Sequence, residues 1–487
     1  MLREHRRFFL WATLVGLALR MFFFVYTPSV TDDSRGYIDL ASNWLQHGVY
    51  GQTQAGQIVP SASRLPGYPA FLASVFWIFG VGNIRAALIA QILLDMVACL
   101  VIADLARRTV SSRVADRVAF ALASSCPFLA NYATAVLTET LEIFFTAVAL
   151  DCVVAGLDSI EDTDGEKAGL WLCWAGAGAA IGACILVRPD GGILLAAVGF
   201  YLAIVIGKRW AGSRVGKSAM GGAPTSTIIA AGIMIAAIAL GPLVPWTIRN
   251  FRTLHQFQPL APRYANESEE LAPIGFNRWV RTWMAEYASV EDTYWNVPGV
   301  KIDATKLPAR ALDEPGREET LGTIAAYNQS QELTPELDAR FAALAGERIR
   351  ARPLRYYVEL PALRIADMWL RPRTELLPPD PRWWQFNDDP RESALAVAFG
   401  LVNLVYVVAA VIAVAVAVTR RRGEPRHVHL RYLGLLGGFV VLRSLFLGTL
   451  ENPESRYTLE CYPAVLVWAA AFFGGKVEGR MSGPIPE

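Results

Sequence analysis

Two carboxylates, Asp32 and Asp33, directly follow an apolar stretch, and arginines recur where later apolar runs stop or turn: Arg64, Arg188, Arg249 and Arg456. A carboxylate can take a proton from an attacking hydroxyl. A guanidinium can hold a phosphate through two parallel hydrogen bonds. Together these side chains suit transfer of a group from a phosphate-linked donor to a hydroxyl. Glu139, after Asn131, Tyr132 and Thr138, occupies another such mouth, and Glu451, Glu454, Arg456 and Tyr457 form a last charged group. Plainer readings stand beside these. Asp32, Asp33 and Glu139 fit the acidic starts of helices, residues 63–69 fit a rigid turn, Arg188 and Asp190 fit a local ion pair, and Trp246 with Arg249 fits an interfacial aromatic beside a snorkelling arginine.

The elements that must carry these residues are apolar. Of 487 residues, 53% are hydrophobic and 18% are charged, below the roughly 25% charge of an ordinary soluble chain. The net charge of +1 gives no pull toward nucleic acid. Six cysteines lie in apolar stretches without C-x-x-C spacing, which supports neither a zinc site nor a disulfide framework, and His47, His255, His427 and His429 show no metal spacing. Runs long enough to cross a bilayer as helices fall near 8–28, 85–106, 114–133, 138–157, 170–187, 190–207, 226–247, 394–419, 432–450 and 458–474. The first is expected to be a retained anchor, because no small-residue cleavage site follows it. The chain is therefore expected to be an all-α polytopic membrane protein with about ten transmembrane helices.

Orientation follows from the short loops that hold the basic residues. Clusters occur at Arg3, Arg6 and Arg7; at Arg107, Arg108, Arg113 and Arg117; at Lys208, Arg209, Arg214 and Lys217; and at Arg420, Arg421, Arg422, Arg426 and Arg431. Ten spans put all four clusters and both termini in the cytoplasm. Residues 67–80 are too few for an eleventh crossing and read as an interfacial or re-entrant helix. Five places then face outward: 29–84, 134–138, 188–190, 248–393 and 451–457, and they carry most of the notable polar residues. Only six of the 45 basic residues are lysine, a bias that leans toward a bacterial source and hence an inner membrane with a periplasmic site.

Three regions follow: a membrane module over 1–247 with its first outer loop at 29–84, a large outer domain over 248–393, and C-terminal spans with a short tail over 394–487. The outer domain concentrates charge, with 22 acidic and 19 basic residues between Arg249 and Glu392. Within the first loop, Tyr37, Leu40, Ala41, Trp44 and Leu45 recur at helical spacing and stop at Gly48, which predicts a short amphipathic helix. In the outer domain, Thr334 and Pro335 open a helix whose Leu337, Phe341, Leu344 and Ile349 face one way. Residues 354–370 predict a second, interfacial helix. Arg20, Asp95, Glu142, Asp151 and Arg443 interrupt apolar runs and must face the bundle interior; Asp95 and Arg443 are candidates to satisfy each other or nearby polar groups.

The order Asp33-x-x-x-Tyr37 with Ala41 and Gly48, then Arg64-x-Pro66-Gly67-Tyr68-Pro69, Thr138-Glu139, Val187-Arg188-Pro189, Pro245-Trp246-x-x-Arg249-Asn250 and Glu454-x-Arg456-Tyr457 resembles the GT-C glycosyltransferases. The likeness is greatest to their protein mannosyltransferase and aminoarabinose transferase branch. It covers residues 1–250 and 350–474. It implies a polyprenyl-phosphate-linked monosaccharide as donor, a glycan, lipid or protein acceptor, and transfer on the outer face. It implies Asp33 as catalytic base, with Asp32 and Glu139 beside it. It places the donor phosphate on Arg249 and Arg456, with Arg64 and Arg188 as further contacts, and gives Tyr37, Tyr68, Asn250, Glu454 and Tyr457 positioning roles. Many members carry a second acid where this chain has Ser34, so a divalent metal is unsupported and no cofactor is required.

The expected reaction is a single inverting displacement by an acceptor hydroxyl. Two rivals remain open. A lipid-linked substrate transporter or flippase would show internal repeats and interrupted helices at mid-membrane, and no repeat is found. A polysaccharide ligase or polymerase acting on a lipid diphosphate would favour histidine and arginine in the large outer loop.

Overall fold

The computed structural model describes residues 4–161, 167–214, 224–264, 271–314, 316–386, 389–419 and 431–481. Arg3, Lys217, the basic run 420–426, His427, His429, acidic residues 162–166 and the sequon at Asn266 lie outside them. Among the described residues, seven helices are long and apolar enough to cross a membrane, and Gly67–Phe79, Trp171–Val187 and Leu433–Gly448 are shorter apolar helices. The all-α polytopic architecture is as expected. The chain divides into two compact units: one comprises residues 1–267, 406–440 and 459–487, the other 268–405 and 441–458.

In the first unit, α1 (Arg6–Tyr26) is an apolar helix whose one charge beyond its first two residues is Arg20. That side chain is fully buried and pairs with Asp95 of α4 (Ile84–Thr109). It also donates to the carbonyls of Gly16 and Ser124, at 2.9 and 2.6 Å. Asp95 is thus answered by Arg20 and not by Arg443, which in the second unit donates to the Tyr457 carbonyl at 3.4 Å. An ion in lipid must find its partner on whichever helix packs beside it, and helix order is not written in local spacing.

α2 (Asp32–His47) opens on a capping box formed by Thr31 and Ser34 and closes at Gly48 in the left-handed conformation, φ 69°. Ser34, where an acid was looked for, therefore completes the cap. A two-stranded antiparallel hairpin follows, β1 (Gly51–Gln54) and β2 (Gln57–Pro60). Its turn residues Ala55 and Gly56 both have positive φ, 49° and 80°, as a type I′ turn demands. α2 holds the hairpin: Asp39 accepts from the Thr53 amide at 2.6 Å and Asn43 donates to the Gly51 carbonyl at 3.0 Å. The sequence gives no hint of this hairpin beyond Gly56.

α3 (Gly67–Phe79) has 13 residues, about 20 Å of helix against roughly 30 Å of hydrocarbon. It forms over the residues expected, 67–80, as a short apolar helix. The span expected at 114–133 is broken, because Pro127 starts a new helix after Ser125 and Cys126; α5 (Ala115–Ser124) and α6 (Pro127–Tyr132) result. α7 (Glu139–Glu161), α8 (Lys167–Val187) and α9 (Gly192–Arg214) follow, the last two joined by a single turn at Pro189–Gly191. α10 (Thr225–Leu240) and α11 (Leu243–Leu254) are separated at Gly241 and Pro242.

In the second unit, Trp279, Trp283 and Phe341 lie at the centre of an apolar core. The helix Pro335–Ala351 begins, as expected, at an N-cap threonine: Thr334 accepts from the Leu337 amide at 3.3 Å. Leu337, Phe341, Leu344 and Ile349 are all buried. Asp338 on this helix accepts from the amides of Gly275 and Phe276 at 2.9 and 2.8 Å, satisfying the start of the helix Ile274–Val280. The second expected helix forms as one turn of π-helix, Arg355–Glu359, followed by Leu360–Leu370.

Candidate active site

The first unit gathers Asp33, Arg64, Tyr37, Tyr68, Glu139 and Arg188. Asp33 sits in the first turn of α2, where the helix dipole favours its charge. Its Oδ1 accepts from Arg64 Nη2 at 2.8 Å. Both side chains remain partly open to solvent, 37% for Asp33 and 28% for Arg64, so the carboxylate is paired but reachable. The Arg64 guanidinium also lies over the ring of Tyr37, one turn along α2, at 5.8 Å. Tyr37 in turn meets Tyr68 edge to face at 4.9 Å, and the Tyr68 hydroxyl donates to Gln91 at 2.7 Å. Gln91 donates to the Ala135 carbonyl at 2.7 Å, which ties α3 and α4 to the segment just before Glu139.

Burial pushes the Tyr37 hydroxyl up to about 12; Arg64 and Arg188 oppose the shift, and Asp33 and Glu139 add to it. All four charges therefore act on one phenol, which remains protonated at neutral pH. Glu139 begins α7 and is buried. Arg188, at the end of α8, lies 3.6 Å from Glu142 and 3.3 Å from Asp190. The local Arg188–Asp190 pair expected as the plainer reading is present, and Glu142 joins it from α7.

One glycine holds the two arginine-bearing segments together. A Cβ on Gly67 would stand 2.5 Å from the Leu186 carbonyl carbon and 2.7 Å from the Val187 nitrogen. Only glycine lets the start of α3 lie directly on the end of α8. Arg64, three residues before Gly67, and Arg188, one residue after Val187, are both placed by that contact.

Other expected residues lie elsewhere. Asp32 is almost fully exposed and pairs with Arg35 at 3.0 Å. Arg249 donates to the Ser61 carbonyl at 2.7 Å, to Asn250 at 2.9 Å and to the Tyr50 carbonyl. Asn250 is buried and donates to the Gln258 carbonyl at 2.7 Å. Glu454, Arg456 and Tyr457 belong to the second unit. There Glu454 forms an ion pair with Arg456 at 2.6 Å and accepts from the Tyr457 hydroxyl at 2.5 Å, and Asn452 donates to Glu454 at 3.0 Å. Arg456 lies over the Tyr457 ring at 5.3 Å. Arg373 supports this group by donating to the Ser455 carbonyl and the Thr458 hydroxyl, both at 2.6 Å.

Sequence reasoning missed Gln91, Tyr50 and Arg373, and took Glu142 only as an interior ion. A glutamine inside the apolar run of α4 is the one local signal among them, because a buried amide requires partners.

Residues 61–235 match the family model for dolichyl-phosphate-mannose-protein mannosyltransferases. This range includes Arg64, Tyr68, Glu139 and Arg188. No significant match is found among curated protein sequences. Among solved structures, the Archaeoglobus fulgidus oligosaccharyltransferase in complex with zinc and sulfate superposes with a TM-score of 0.50 at 14% identity, over 97% of this chain and 49% of that one. The archaeal oligosaccharyltransferase AglB from A. fulgidus, in complex with an inhibitory peptide and a dolichol-phosphate, gives 0.49 at 11% identity, over 100% and 53%. ArnT from Cupriavidus metallidurans, bound to undecaprenyl phosphate, gives 0.38 at 15% identity, over 97% and 77%. The chain spans about half the length of the oligosaccharyltransferases, and the likeness to them is one of fold. With its fold and the matched segment taken together, the chain resembles the GT-C glycosyltransferases, and residues 61–235 carry the pattern of their protein mannosyltransferase branch.

Proposed function

We propose that this protein is an integral membrane glycosyltransferase that moves a monosaccharide from a polyprenyl-phosphate donor to an acceptor hydroxyl of a glycan, lipid or protein. The observation that carries the reading is the meeting of Asp33 and Arg64 above Tyr37, with Arg188 and Glu139 acting on the same phenol. The match of residues 61–235 to the dolichyl-phosphate-mannose-protein mannosyltransferase model supports the donor class. The distribution of basic residues among the loops supports a site on the periplasmic face of a bacterial inner membrane, with both termini in the cytoplasm.

In the proposed reaction, Asp33 takes the proton as the acceptor oxygen bonds to the anomeric carbon. The bond from that carbon to the phosphate oxygen breaks from the opposite face, and the configuration inverts. Arg64 and Arg188 supply positive charge for the departing phosphate, and the Tyr37 hydroxyl is a donor beside them. Arg456 is kept as a candidate phosphate contact on its motif alone, held within its own unit by Glu454 and Tyr457. Glu139 orients the sugar or acceptor. No step requires a cofactor. The test is the purified full chain in lipid nanodiscs with a labelled polyprenyl-phosphate monosaccharide. Release of polyprenyl phosphate with label on a hydroxyl acceptor is expected, and Arg456→Ala should lower the rate about 10²- to 10³-fold. Movement of intact donor across the bilayer without cleavage would replace this reading with that of a flippase.

A further inference from the structure

We propose that Arg249 is a positioning residue: it clamps the stem of the β1–β2 hairpin and, through Tyr50, sets where Arg64 meets Asp33. The inference rests on reading Asp33 and Arg64 as parts of the active site. The motif Trp246-x-x-Arg249-Asn250 had pointed to the donor phosphate, but the geometry gives the guanidinium other work.

Tyr50 and Ser61 flank the hairpin and close it, the Ser61 amide donating to the Tyr50 carbonyl at 3.1 Å. Arg249 grips both ends of that stem, with Nη1 on the Ser61 carbonyl at 2.7 Å and Nη2 on the Tyr50 carbonyl. Nη1 also reaches Asn250 Oδ1 at 2.9 Å, within its own helix α11. The planar group lies 5.4 Å from the Tyr50 ring and 5.3 Å from the Trp246 ring, and those rings meet edge to face at 5.1 Å. A fork shared between two carbonyls and two aromatic faces is a use of arginine that lysine cannot reproduce. These contacts engage three of the five N–H donors of the guanidinium and tie it to the loop.

The clamp is passed on by Tyr50. Its ring is buried, and its hydroxyl donates to the carbonyls of Arg64 and Leu65 at 3.0 and 3.2 Å. Leu65, Ala62, Tyr50 and Trp246 pack with Leu40 in one apolar cluster. Leu40 lies on α2, two turns beyond Asp33. The same cluster thus fixes the backbone that bears the arginine and the helix that bears the carboxylate. The 2.8 Å contact between Arg64 and Asp33 is the product of both.

The test uses the full chain in nanodiscs and the variants Arg249→Ala, Arg249→Lys, Tyr50→Phe, Arg64→Ala and the double variant Arg249→Ala/Arg64→Ala. Misplacing a catalytic contact by about 1 Å can cost about 100-fold in rate, so Arg249→Ala should lose up to about that much in transfer. Tyr50→Phe should lose less, and Arg249→Lys should recover part of the loss. In the Arg64→Ala background, Arg249→Ala should cost little more, because the pair acts through one contact. Multiplicative losses would overturn the proposal in favour of a direct phosphate contact.

A second readout needs no turnover: the rate at which an arginine-selective dicarbonyl reagent modifies Arg64, followed by mass spectrometry. Arg249→Ala and the milder Tyr50→Phe should both speed that modification several-fold while the buried Arg364 of the second unit stays protected. Unchanged Arg64 reactivity in both variants would refute the clamp. If wild-type protein transfers no sugar, the proposed function falls, and Arg64 reactivity still decides the role of Arg249.

Discussion

Gly67→Ala adds one methyl group where there is no room. The new Cβ would lie 2.5 Å from the Leu186 carbonyl carbon, 2.6 Å from its oxygen and 2.7 Å from the Val187 nitrogen. Ordinary contact begins near 3.4 Å, so α3 and α8 must part by roughly 0.9 Å. The obstructing atoms are backbone and cannot swing aside. Overpacking of this kind costs about 1–3 kcal/mol, too little to unfold a chain with a core of this size but enough to shift the segment that delivers Arg64 relative to Arg188. A displacement approaching 1 Å at reacting groups corresponds to about 10² in rate. Single-turnover transfer of labelled sugar should therefore fall by about one to two orders of magnitude, while the apparent Tm drops by only a few degrees. Wild-type transfer by Gly67→Ala would refute the argument that this contact sets the site. Collapse of the fold without a measurable folded fraction would contradict the stated energy.

Asp95→Asn leaves the Arg20 guanidinium buried without its charge partner, and should destabilise the protein by about 3–5 kcal/mol, read as a large drop in detergent-solubilised Tm. In the second unit, burial pushes the Asp367 carboxyl up to about 6, against the pull of Arg371 and the Tyr287 amide. A folded-state value raised above the unfolded one stabilises at low pH, and that stability is lost as pH rises through about 6. The apparent Tm should accordingly be higher at pH 5 than at pH 7.5, and Asp367→Asn should flatten the difference. A reporter inserted near Thr320 should be periplasmic and one fused after Glu487 cytoplasmic; a cytoplasmic signal at Thr320 would remove the proposed sidedness.

What could be read from the sequence was whatever local chemistry determines. The apolar period from Tyr37 to Leu45 and the stop at Gly48 mark α2, and Thr334 with its apolar period marks the helix Pro335–Ala351. Asp33, Tyr37 and Arg64 could be picked out because their types and order resemble those of the GT-C glycosyltransferases. Their contact at 2.8 Å could not, since it depends on a hairpin whose strands are four residues each and on a glycine chosen for a neighbour more than a hundred residues away. The break at Pro127 was visible as a proline, but nothing local distinguishes a kinked span from two short helices. Arg249 shows what a motif leaves out: its order suggested a ligand contact, and only the fold reveals that the guanidinium also holds the carbonyls of Tyr50 and Ser61.

The most direct measurement is single-turnover transfer from a labelled polyprenyl-phosphate sugar by wild type and Asp33→Asn, each shown to be folded by its melting curve. Asparagine keeps the shape of Asp33 and can still neighbour Arg64, but it cannot accept the hydroxyl proton. Loss of about 10²- to 10⁴-fold in rate, with donor still bound, is the predicted result. Transfer by Asp33→Asn at the wild-type rate would contradict the account.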